Sequence, residues 1–398
     1  MAKILVEDQE ENTKVPFLRG ILIRSLQDAG LSFKEAYQVS SEIRSDIDDQ
    51  SLINTTELRR RVIVHLKALK RPNIYHRYLG HRELLSFQIQ VKQRDGMLRP
   101  FSRLEYQHCL ETIGLESEEA SEIVTTIYKH LNERYIGQIT SRHLGNLTYR
   151  YLRQSRELGP AVAQRWLIWR DFVNSGRRLI FLIGGTAGCG KSTIATTLAS
   201  YLEIVRTQST DMLREVMRTM MPKQLLPVLH TSSFAAWSAL PGQPKTFTKI
   251  PETLLIHGYR TQADMLSVAI EAVIQRALRE RVSLILEGVH IHPAFIEKLK
   301  FDKEAVVIPV MLGILKRKRL QRRISGRSTD VPQRRAERYL KHFDEIWRLQ
   351  TYLLSEADRA NIPIVINNDR DKVFREIMRI TIEILAKDFK STPRAVFG

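Results

Sequence analysis

The sequence predicts an α/β fold for its second half: a parallel β-sheet covered by helices on both faces, preceded by a mainly α-helical, duplicated region. Three observations lead to this prediction. Five short apolar stretches alternate with helical patterns after residue 178, and this alternation is typical of a parallel sheet. A glycine-rich turn joins the first stretch to the helical pattern that follows it. In the first half, a pattern of about 85 residues occurs twice, which indicates an internal repeat.

The chain of 398 residues is long enough for two or three domains. Its hydrophobic content of 43% and charged content of 27% are those of a protein that buries ordinary cores. We expect boundaries near residues 85 and 175, which give a first repeat at 1–85, a second repeat with a linker helix at 86–175, and an α/β domain at 176–398.

The composition gives no indication of export or of a membrane. The start, MAKILVEDQEE, is acidic and has no apolar run before a cleavage site. The longest apolar runs are strand-sized, far below the ~20 residues that a membrane span needs. The two cysteines, Cys109 and Cys189, have no metal-ligand spacing and form no disulfide framework. We therefore expect a cytoplasmic protein without a membrane partner.

The net charge of +18 is concentrated in one segment. Between Lys316 and His342 there are eleven lysines and arginines and two acids, so this segment carries +9. Two interpretations compete: a nucleic-acid-binding surface and an arginine-rich lid over phosphates. No aromatic-studded sheet and no RNA-recognition motif accompanies the basic run, which disfavours nucleic acid as a partner.

The repeat in the first half keeps its register, with one or two small insertions. Pro16-Phe17 returns as Pro100-Phe101, Ala29-Gly30-Leu31 as Ile113-Gly114-Leu115, and Glu35-Ala36 as Glu119-Ala120, always 84 positions later. Each copy begins with a short strand or hairpin and continues with helices of i, i+3, i+4 apolar spacing. In the first copy, the predicted helices span 17–29, 33–47 and 55–69.

The opening of the second copy, Val91-Lys92-Gln93-Arg94-Asp95-Gly96, resembles that of an ATP-cone domain, a small regulatory nucleotide-binding module. The resemblance implies that Lys92 and Arg94 contact the phosphates of a regulatory nucleotide. The first copy has Glu7 where the second has Lys92, in an acidic run that extends to Glu11. Like charges repel a triphosphate, so we expect the first copy to be structural. Helical packing without a ligand is the alternative for both copies.

Residues 160–178 predict a linker helix with Gly176 as its C-terminal cap. Five predicted strands follow it, separated by helical patterns. They are Leu179–Ile183, Ile204–Thr207, Ser283–Leu286, Ala305–Leu312 and Ile362–Asn367.

The turn after the first strand contains the phosphate-binding signature G-x-x-x-x-G-K-[ST], as Gly185, Gly190, Lys191 and Ser192. Glycines let successive backbone N–H groups face one anion, and the next helix N-terminus adds positive potential. Lys191 can reach the β- and γ-phosphates, and the Ser192 hydroxyl can hold Mg²⁺. We expect ATP and Mg²⁺ at this loop. The expected nucleotide-binding residues are Gly185, Thr186, Ala187, Gly188, Cys189, Gly190, Lys191, Ser192 and Thr193.

Three charged residues follow the second predicted strand at helical spacing: Asp211, Arg214 and Arg218. They share one helix face at the carboxyl end of a strand, where parallel α/β sheets bind ligands. A carboxylate there can orient or deprotonate an acceptor hydroxyl, and guanidinium groups can bind an anionic acceptor. The alternative is a solvated face with an intrahelical salt bridge.

The third predicted strand ends in Glu287, an acid that we expect on the magnesium side of the phosphate site. His290 is expected to form a hydrogen bond with phosphate or substrate, with a structural role as the alternative. The chain between 212 and 280 contains further polar candidates for acceptor binding, with helix capping as the alternative for the serines. They are His230, Ser232 and Arg260.

The basic segment after the fourth strand occupies the position of a kinase lid. Arg319, Arg323 and Arg327 are spaced by four, on one face of the predicted helix. Arginines there can stabilise the charge that develops when a phosphoryl group is transferred. We expect Arg323 to act in catalysis together with Lys191, Asp211 and Glu287.

Taken together, GGTAGCGKST, STDMLREVMR, LHTSSFAAW, HGYRTQ and ILEGVHIHP resemble the 2-phosphoglycerate kinase family, over residues 177–368. The resemblance implies ATP-dependent phosphorylation of the C3 hydroxyl of 2-phosphoglycerate, a small anionic substrate. The doubled front region departs from the family pattern, so the resemblance leaves regulation open. Two other functions are compatible with the residues. One is a kinase for another phosphorylated polyol or an RNA-linked hydroxyl, and the other is a nucleotide-sensing regulator without transferase activity.

Overall fold

A computed structural model describes residues 4–8, 13–48, 50–69, 74, 78, 89–134, 136–242, 247–299, 304–326 and 334–398. The chain forms two compact units. The first comprises Met1–Phe101 and Tyr135–Ile139, and the second comprises Ser102–Arg134 and Thr140–Gly398. Among the described helices, none is both long enough and apolar enough to cross a membrane.

In the part that the structure describes, the first repeat is a three-stranded sheet with three helices. Its central strand pairs antiparallel with the second strand of a hairpin and parallel with the third strand. Leu26, Ile43 and Leu66, one from each helix, form one buried core with Ile4, which directly precedes the first strand. The elements are β1 (Leu5–Asp8), β2 (Thr13–Pro16), α1 (Arg19–Asp28), α2 (Phe33–Asp46), β3 (Leu52–Asn54) and α3 (Thr55–Ala68).

The strands of the second repeat form a sheet of the same order, with the first strand in the centre. Its hairpin turns at Gly96, which has a φ of +86°, a value that favours glycine. Lys92 at the end of the central strand and Arg94 in the turn are both exposed. At the position equivalent to Lys92, the first repeat has Glu7, which pairs with Lys14 at 3.1 Å. The strands are β4 (Gln90–Lys92), β5 (Leu98–Pro100) and β6 (Gln138–Thr140).

The second unit begins with four helices. The last of them is the predicted linker helix, and Gly176 ends it in the left-handed conformation with a φ of +69°, as predicted. Trp166 of this helix is fully buried, and its indole Nε1 donates a hydrogen bond to the Gly145 carbonyl at 2.9 Å. The helices are α4 (Arg103–Glu111), α5 (Ser117–Glu133), α6 (Ser141–Gln154) and α7 (Gly159–Ser175).

The predicted parallel sheet is confirmed, and each of its five predicted strands is present. Their order in the sheet is β11-β10-β7-β9-β8. The second strand starts at Arg206 rather than Ile204, because the Ile204 N–H closes the preceding helix on the Ala199 carbonyl. The strands are β7 (Arg178–Gly184), β8 (Arg206–Ser209), β9 (Leu284–Gly288), β10 (Ala305–Gly313) and β11 (Ile364–Ile366).

Helices cover both faces of this sheet. Ile180 and Leu182 of β7 pack against the long helix α10 through Leu266 and Ile270, and the alternate residues of β7 are buried as well. The helices are α8 (Lys191–Tyr201), α9 (Thr210–Met220), α10 (Glu252–Arg279), α11 (Pro293–Lys298), α12 (Arg317–Gly326), α13 (Arg334–Lys341), α14 (Phe343–Arg359), α15 (Arg370–Asp388) and α16 (Pro393–Phe397). Two 3₁₀ helices, Pro227–His230 and Ser233–Ala239, lie between α9 and α10.

Candidate active site

The glycine-rich loop connects β7 to α8 in a conformation that glycine allows. Gly185, Gly188 and Gly190 have φ values of +140°, +85° and +91°, which side chains disfavour. A Cβ atom on Gly190 would lie 2.4 Å from Asn367 Nδ2, so this position also lacks the space for a side chain. The loop leads directly into the N-terminus of α8, where free N–H groups and the helix dipole favour an anion.

Two side chains at the loop, those of Lys191 and Thr186, could contact a phosphate. Lys191 Nζ donates a hydrogen bond to the Thr186 carbonyl at 3.0 Å, so the lysine lies over its own loop. The Thr186 hydroxyl is buried and has no hydrogen-bond partner among the described residues. A buried hydroxyl without a partner is costly, and a phosphate oxygen at the loop would satisfy it. Ser192 and Thr193 are exposed at the start of α8.

Ser192 and Glu287 lie together. The Ser192 hydroxyl donates to Glu287 Oε1 at 2.9 Å, and Glu287 is only 6% exposed. In the sheet, Glu287 lies between Ile183 on β7 and Ser209 on β8, so it stands directly beside the loop. Two adjacent hard oxygen donors suit Mg²⁺, which prefers oxygen ligands and retains several waters. The residues present therefore fit the expected cation.

Asp211 and Arg214 form the next part of the site, in the first turns of α9. Ser209, the register partner of Glu287, caps this helix by accepting a hydrogen bond from the Asp211 N–H at 3.2 Å. Arg214 Nε lies 3.7 Å from Asp211 Oδ1 and forms no hydrogen bond, although it is buried. The Arg214 guanidinium is held by the Thr231 carbonyl, to which Nη1 donates. The side chain of Asp211 is 64% exposed, whereas that of Arg214 is 17% exposed, so the carboxylate is open to solvent and most of the arginine side chain is covered.

The remaining acceptor candidates have protein partners or lie elsewhere. Arg218 pairs with Glu215 at 2.6 Å, and His230 Nε2 is 2.9 Å from the Met221 carbonyl. Ser232 precedes the second 3₁₀ helix without a capping hydrogen bond from its side chain. Arg260 is exposed beside His292 and contributes, after burial, to the lowering of that residue's pKa to about 4.

His290 is almost fully buried, and both of its ring nitrogens have protein partners. Nδ1 is 3.0 Å from Thr210 Oγ1, and Nε2 is 2.9 Å from Gln262 Oε1. Burial lowers the pKa of His290 from 6.5 to about 3. Asp211 opposes this effect, whereas the charges of Arg214 and Lys191 reinforce it. The imidazole is therefore neutral, and it links β9 to α9 and α10. It has no free nitrogen for a substrate.

The neutral histidines make the unfolding free energy depend on pH. Burial lowers the pKa of His290 to about 3 and that of His292 to about 4, whereas an unfolded histidine titrates near pH 6.5. The unfolded chain therefore binds protons that the folded chain excludes. These two groups make no pH-dependent contribution to the unfolding free energy above pH ~6.5. Below this pH the unfolding free energy falls, by up to about 1.4 kcal/mol per pH unit for each histidine.

We expect His290→Gln to remove one of these two contributions. The unfolding free energy of the variant, measured by urea denaturation between pH 6 and 4, should fall less steeply than that of the parent chain. An unchanged slope would contradict the neutral state of His290.

The arginine-rich helix α12 is attached to the phosphate loop through Asn367. Arg323 donates to Asn367 Oδ1 at 3.3 Å, and Asn367 Nδ2 donates to the Cys189 carbonyl at 2.8 Å. Burial lowers the pKa of Arg323, and the charge of Arg319 adds to this effect. Arg319 donates to the Asn368 carbonyl. Arg327 lies outside the described residues.

Three residues of the site went unrecognised as individual candidates: Thr210, Gln262 and Asn367. Each has a signal in the sequence. Thr210 and Asn367 follow strands directly, at the sheet edge that binds ligands. Gln262 shares a helical stripe with Tyr259 and Leu266, which are both buried, and a polar side chain on a buried stripe needs hydrogen-bond partners.

The second repeat and most of the chain match known proteins. Residues 89–175 match the ATP cone domain. A 2-phosphoglycerate kinase of Pyrococcus furiosus is 37% identical over 304 residues, which cover 75% of this chain and 96% of that protein. A second, from Pyrococcus horikoshii, is 34% identical over 74% of this chain and 95% of its own length. A third, from Methanopyrus kandleri, is 33% identical over 77% of this chain and 91% of its own length.

Among solved structures, a shikimate kinase of Acinetobacter baumannii in complex with shikimate is similar to part of the chain. The similarity covers 54% of this chain and 96% of that one, with 14% identity and a TM-score of 0.30.

Proposed function

Because this chain belongs to the 2-phosphoglycerate kinase family, we propose that it transfers the γ-phosphoryl group of ATP to the C3 hydroxyl of 2-phosphoglycerate. The products are 2,3-bisphosphoglycerate and ADP. One structural observation carries the proposal. At the carboxyl edge of the sheet, Glu287 lies between Ile183, near the end of the strand that leads into the phosphate loop, and Ser209. The phosphate loop, which would bind the nucleotide, and the Asp211–Arg214 pair are therefore neighbours.

The phosphate loop is proposed to bind the triphosphate of ATP. Its N–H groups and the α8 N-terminus surround the anion. Lys191 exchanges the Thr186 carbonyl, its present partner, for phosphate oxygens, and Thr186 contributes its free hydroxyl. Ser192 and Glu287 would hold Mg²⁺, which when bound neutralises charge on the phosphates.

Asp211 and Arg214 are proposed to bind the acceptor, which carries a carboxylate, a phosphate and a free hydroxyl. The unpartnered Nε–H of Arg214 is a donor for one of its anionic groups. Arg218 can add a second guanidinium, since its pair with Glu215 is exposed and exposed pairs are weak. Ser232 adjoins Thr231, whose carbonyl holds Arg214. Roles of His230 and Arg260 in acceptor binding stay predictions from the sequence.

The proposed reaction is a direct transfer. The C3 oxygen forms a bond to the γ-phosphorus while the bond to the β–γ bridging oxygen breaks, and ADP leaves with that electron pair. Asp211 orients the C3 hydroxyl and accepts its proton. Arg323, which lies beside Gly190, stabilises charge on the transferring group.

A screen of ADP release against phosphorylated acids tests the proposal. The acceptors are 2-phosphoglycerate, 3-phosphoglycerate, phosphoenolpyruvate and glycerol 2-phosphate, with a short RNA as a further candidate. We expect turnover to be greatest with 2-phosphoglycerate, because only this acceptor places carboxylate, phosphate and primary hydroxyl on one three-carbon chain in the required order. Turnover that ignores the acceptor would contradict the proposal and favour the nucleotide-sensing alternative.

Arg214→Ala tests the acceptor side. We expect KM for 2-phosphoglycerate to rise roughly 10–100-fold, because a hydrogen bond to a charged group contributes about 1.5–3 kcal/mol. KM for ATP should change little, since Arg214 has no contact with the loop among the bonds described. Arg276→Ala, on an exposed part of α10, is the charge-matched control. Equal increases in both KM values for Arg214→Ala would contradict an acceptor role.

For the second repeat, we propose that Lys92 and Arg94 contact the phosphates of a regulatory nucleotide. Both are exposed at the hairpin, in the part of the chain that matches the ATP cone domain. In the first repeat, the position equivalent to Lys92 is Glu7, which pairs with Lys14. A carboxylate at this position disfavours the binding of a triphosphate.

A further inference from the structure

The geometry points to a buried hydrogen-bond chain, Thr210–His290–Gln262, that positions Asp211 and Arg214 for the acceptor. This inference rests on the proposed function, because it concerns how the acceptor residues are held. The three residues are buried, and none of their described hydrogen bonds goes to the phosphate loop, so we assign them as positioning residues.

The direction of each hydrogen bond in the chain follows from its end. Gln262 Nε2 lies 2.6 Å from the Val228 carbonyl and 3.1 Å from the Thr231 carbonyl. Carbonyls only accept, so this atom is the amide nitrogen and Gln262 Oε1 must accept from His290 Nε2. The neutral imidazole then has a bare Nδ1, which accepts from the Thr210 hydroxyl. One arrangement of protons satisfies every bond.

Both ends of the chain lead to the acceptor residues. Thr210 is the first residue of α9 and directly precedes Asp211. At the other end, the Thr231 carbonyl accepts from Gln262 and also from Arg214, which uses both of its lone pairs. The position of Arg214 is thus coupled to Gln262 through a single oxygen atom.

The middle of the chain fixes the acceptor helix to the strand that carries Glu287. His290 follows β9 by two residues, and Thr210 packs so tightly on this strand that a Cβ atom at Gly288 would lie 1.7 Å from its hydroxyl. The hydrogen-bond chain therefore sets the distance between Glu287, which would hold Mg²⁺, and the acceptor residues on α9. Displacements of about 1 Å between reacting groups can cost about 10²-fold in rate.

Burial makes the hydrogen-bond chain rigid. Thr210 and Gln262 are 0% exposed, and His290 is 1% exposed. Water cannot replace a lost partner at these depths, so each broken bond leaves a buried polar group unsatisfied. An apolar trio of the same volume would pack the site without this penalty, but it would not orient Arg214.

Thr210→Val and Thr210→Ser form the central test, with kcat and KM measured for both substrates. The valine keeps the shape and removes the hydroxyl, so we expect KM for 2-phosphoglycerate to rise about 10-fold or more, with KM for ATP within about twofold. The serine keeps the donor and should restore KM for 2-phosphoglycerate to within about threefold of the parent. Thr381→Val is the matched control, because Thr381 is fully buried in α15 and donates only within its own helix. It should leave both KM values unchanged.

Gln262→Met provides an independent variant if Thr210→Val fails to fold. It keeps the length of the side chain and removes the hydrogen bonds at the other end of the hydrogen-bond chain. The same selective rise in KM for 2-phosphoglycerate is expected. Calorimetric titration of each folded variant with 2-phosphoglycerate alone should show the same loss of affinity. If Thr210→Val and Gln262→Met lower only the melting temperature, or raise both KM values equally, the hydrogen-bond chain has no positioning role. Failure of the proposed function is distinct, because the parent chain itself would then not use 2-phosphoglycerate.

Discussion

Lys191→Ala is expected to lower ATP-dependent phosphorylation by at least ~10²–10³-fold, the typical cost of removing one donor that stabilises transition-state charge. Lys191 is the lysine of the phosphate-loop signature. Its ammonium group now rests on the Thr186 carbonyl at 3.0 Å, a contact that it can exchange for phosphate oxygens without moving the backbone. Alanine leaves the glycine conformations of the loop intact, so the expected loss reflects charge rather than folding.

The measurement is steady-state ADP release with saturating 2-phosphoglycerate, together with the melting temperature. Lys387→Ala is the matched control, because this lysine is exposed near the end of α15 and its loss changes the net charge equally. The control should retain parent activity. Full activity of Lys191→Ala would refute the phosphate loop as the catalytic site.

Glu287→Gln is expected to reduce kcat by roughly 10²–10³-fold and to raise the concentration of Mg²⁺ needed for half-maximal rate. Glu287 accepts from the Ser192 hydroxyl at 2.9 Å. The glutamine is isosteric and retains an oxygen acceptor for this bond, but it removes the negative charge that would attract the cation. Binding of ATP without Mg²⁺ should remain close to that of the parent.

The rate is measured over a Mg²⁺ titration, and ATP binding is measured separately by calorimetry in the presence of a chelator. Glu271→Gln, on an exposed turn of α10, controls for the loss of one carboxylate. If the magnesium dependence of Glu287→Gln matches that of the control, Glu287 does not serve the cation.

Most of the α/β fold could be predicted from the sequence, because its signals are local. The apolar stretch Leu179–Ile183, the turn at Gly185–Gly190 and the helix after Lys191 are recognisable from composition and spacing alone. The start of β8 was predicted two residues early, since the tertiary pairing of Arg206 with Leu284, rather than the apolar Ile204, decides where that strand begins.

The site could be predicted only where its residues have local signals in the sequence. Ser192 and Glu287 were expected on the magnesium side, and the structure places their side chains in contact. His290 was expected to bind phosphate or substrate, whereas both of its nitrogens are occupied by Thr210 and Gln262. These partners lie 80 and 28 positions away along the chain, and spacing along a helix or strand carries no information on such pairs.

The phosphate loop, the parallel sheet and the family can be read from the sequence, because these depend on backbone conformation and on periodicity within short segments. Which polar residues meet depends on the packing of distant segments. The register Ile183–Glu287–Ser209 brings the loop, the acid and the acceptor helix to one edge, and Asn367 reaches the loop from 178 positions away. Hydrogen bonds between distant segments form only after burial has brought those segments together, so their partners are set by the packed fold rather than by any local pattern.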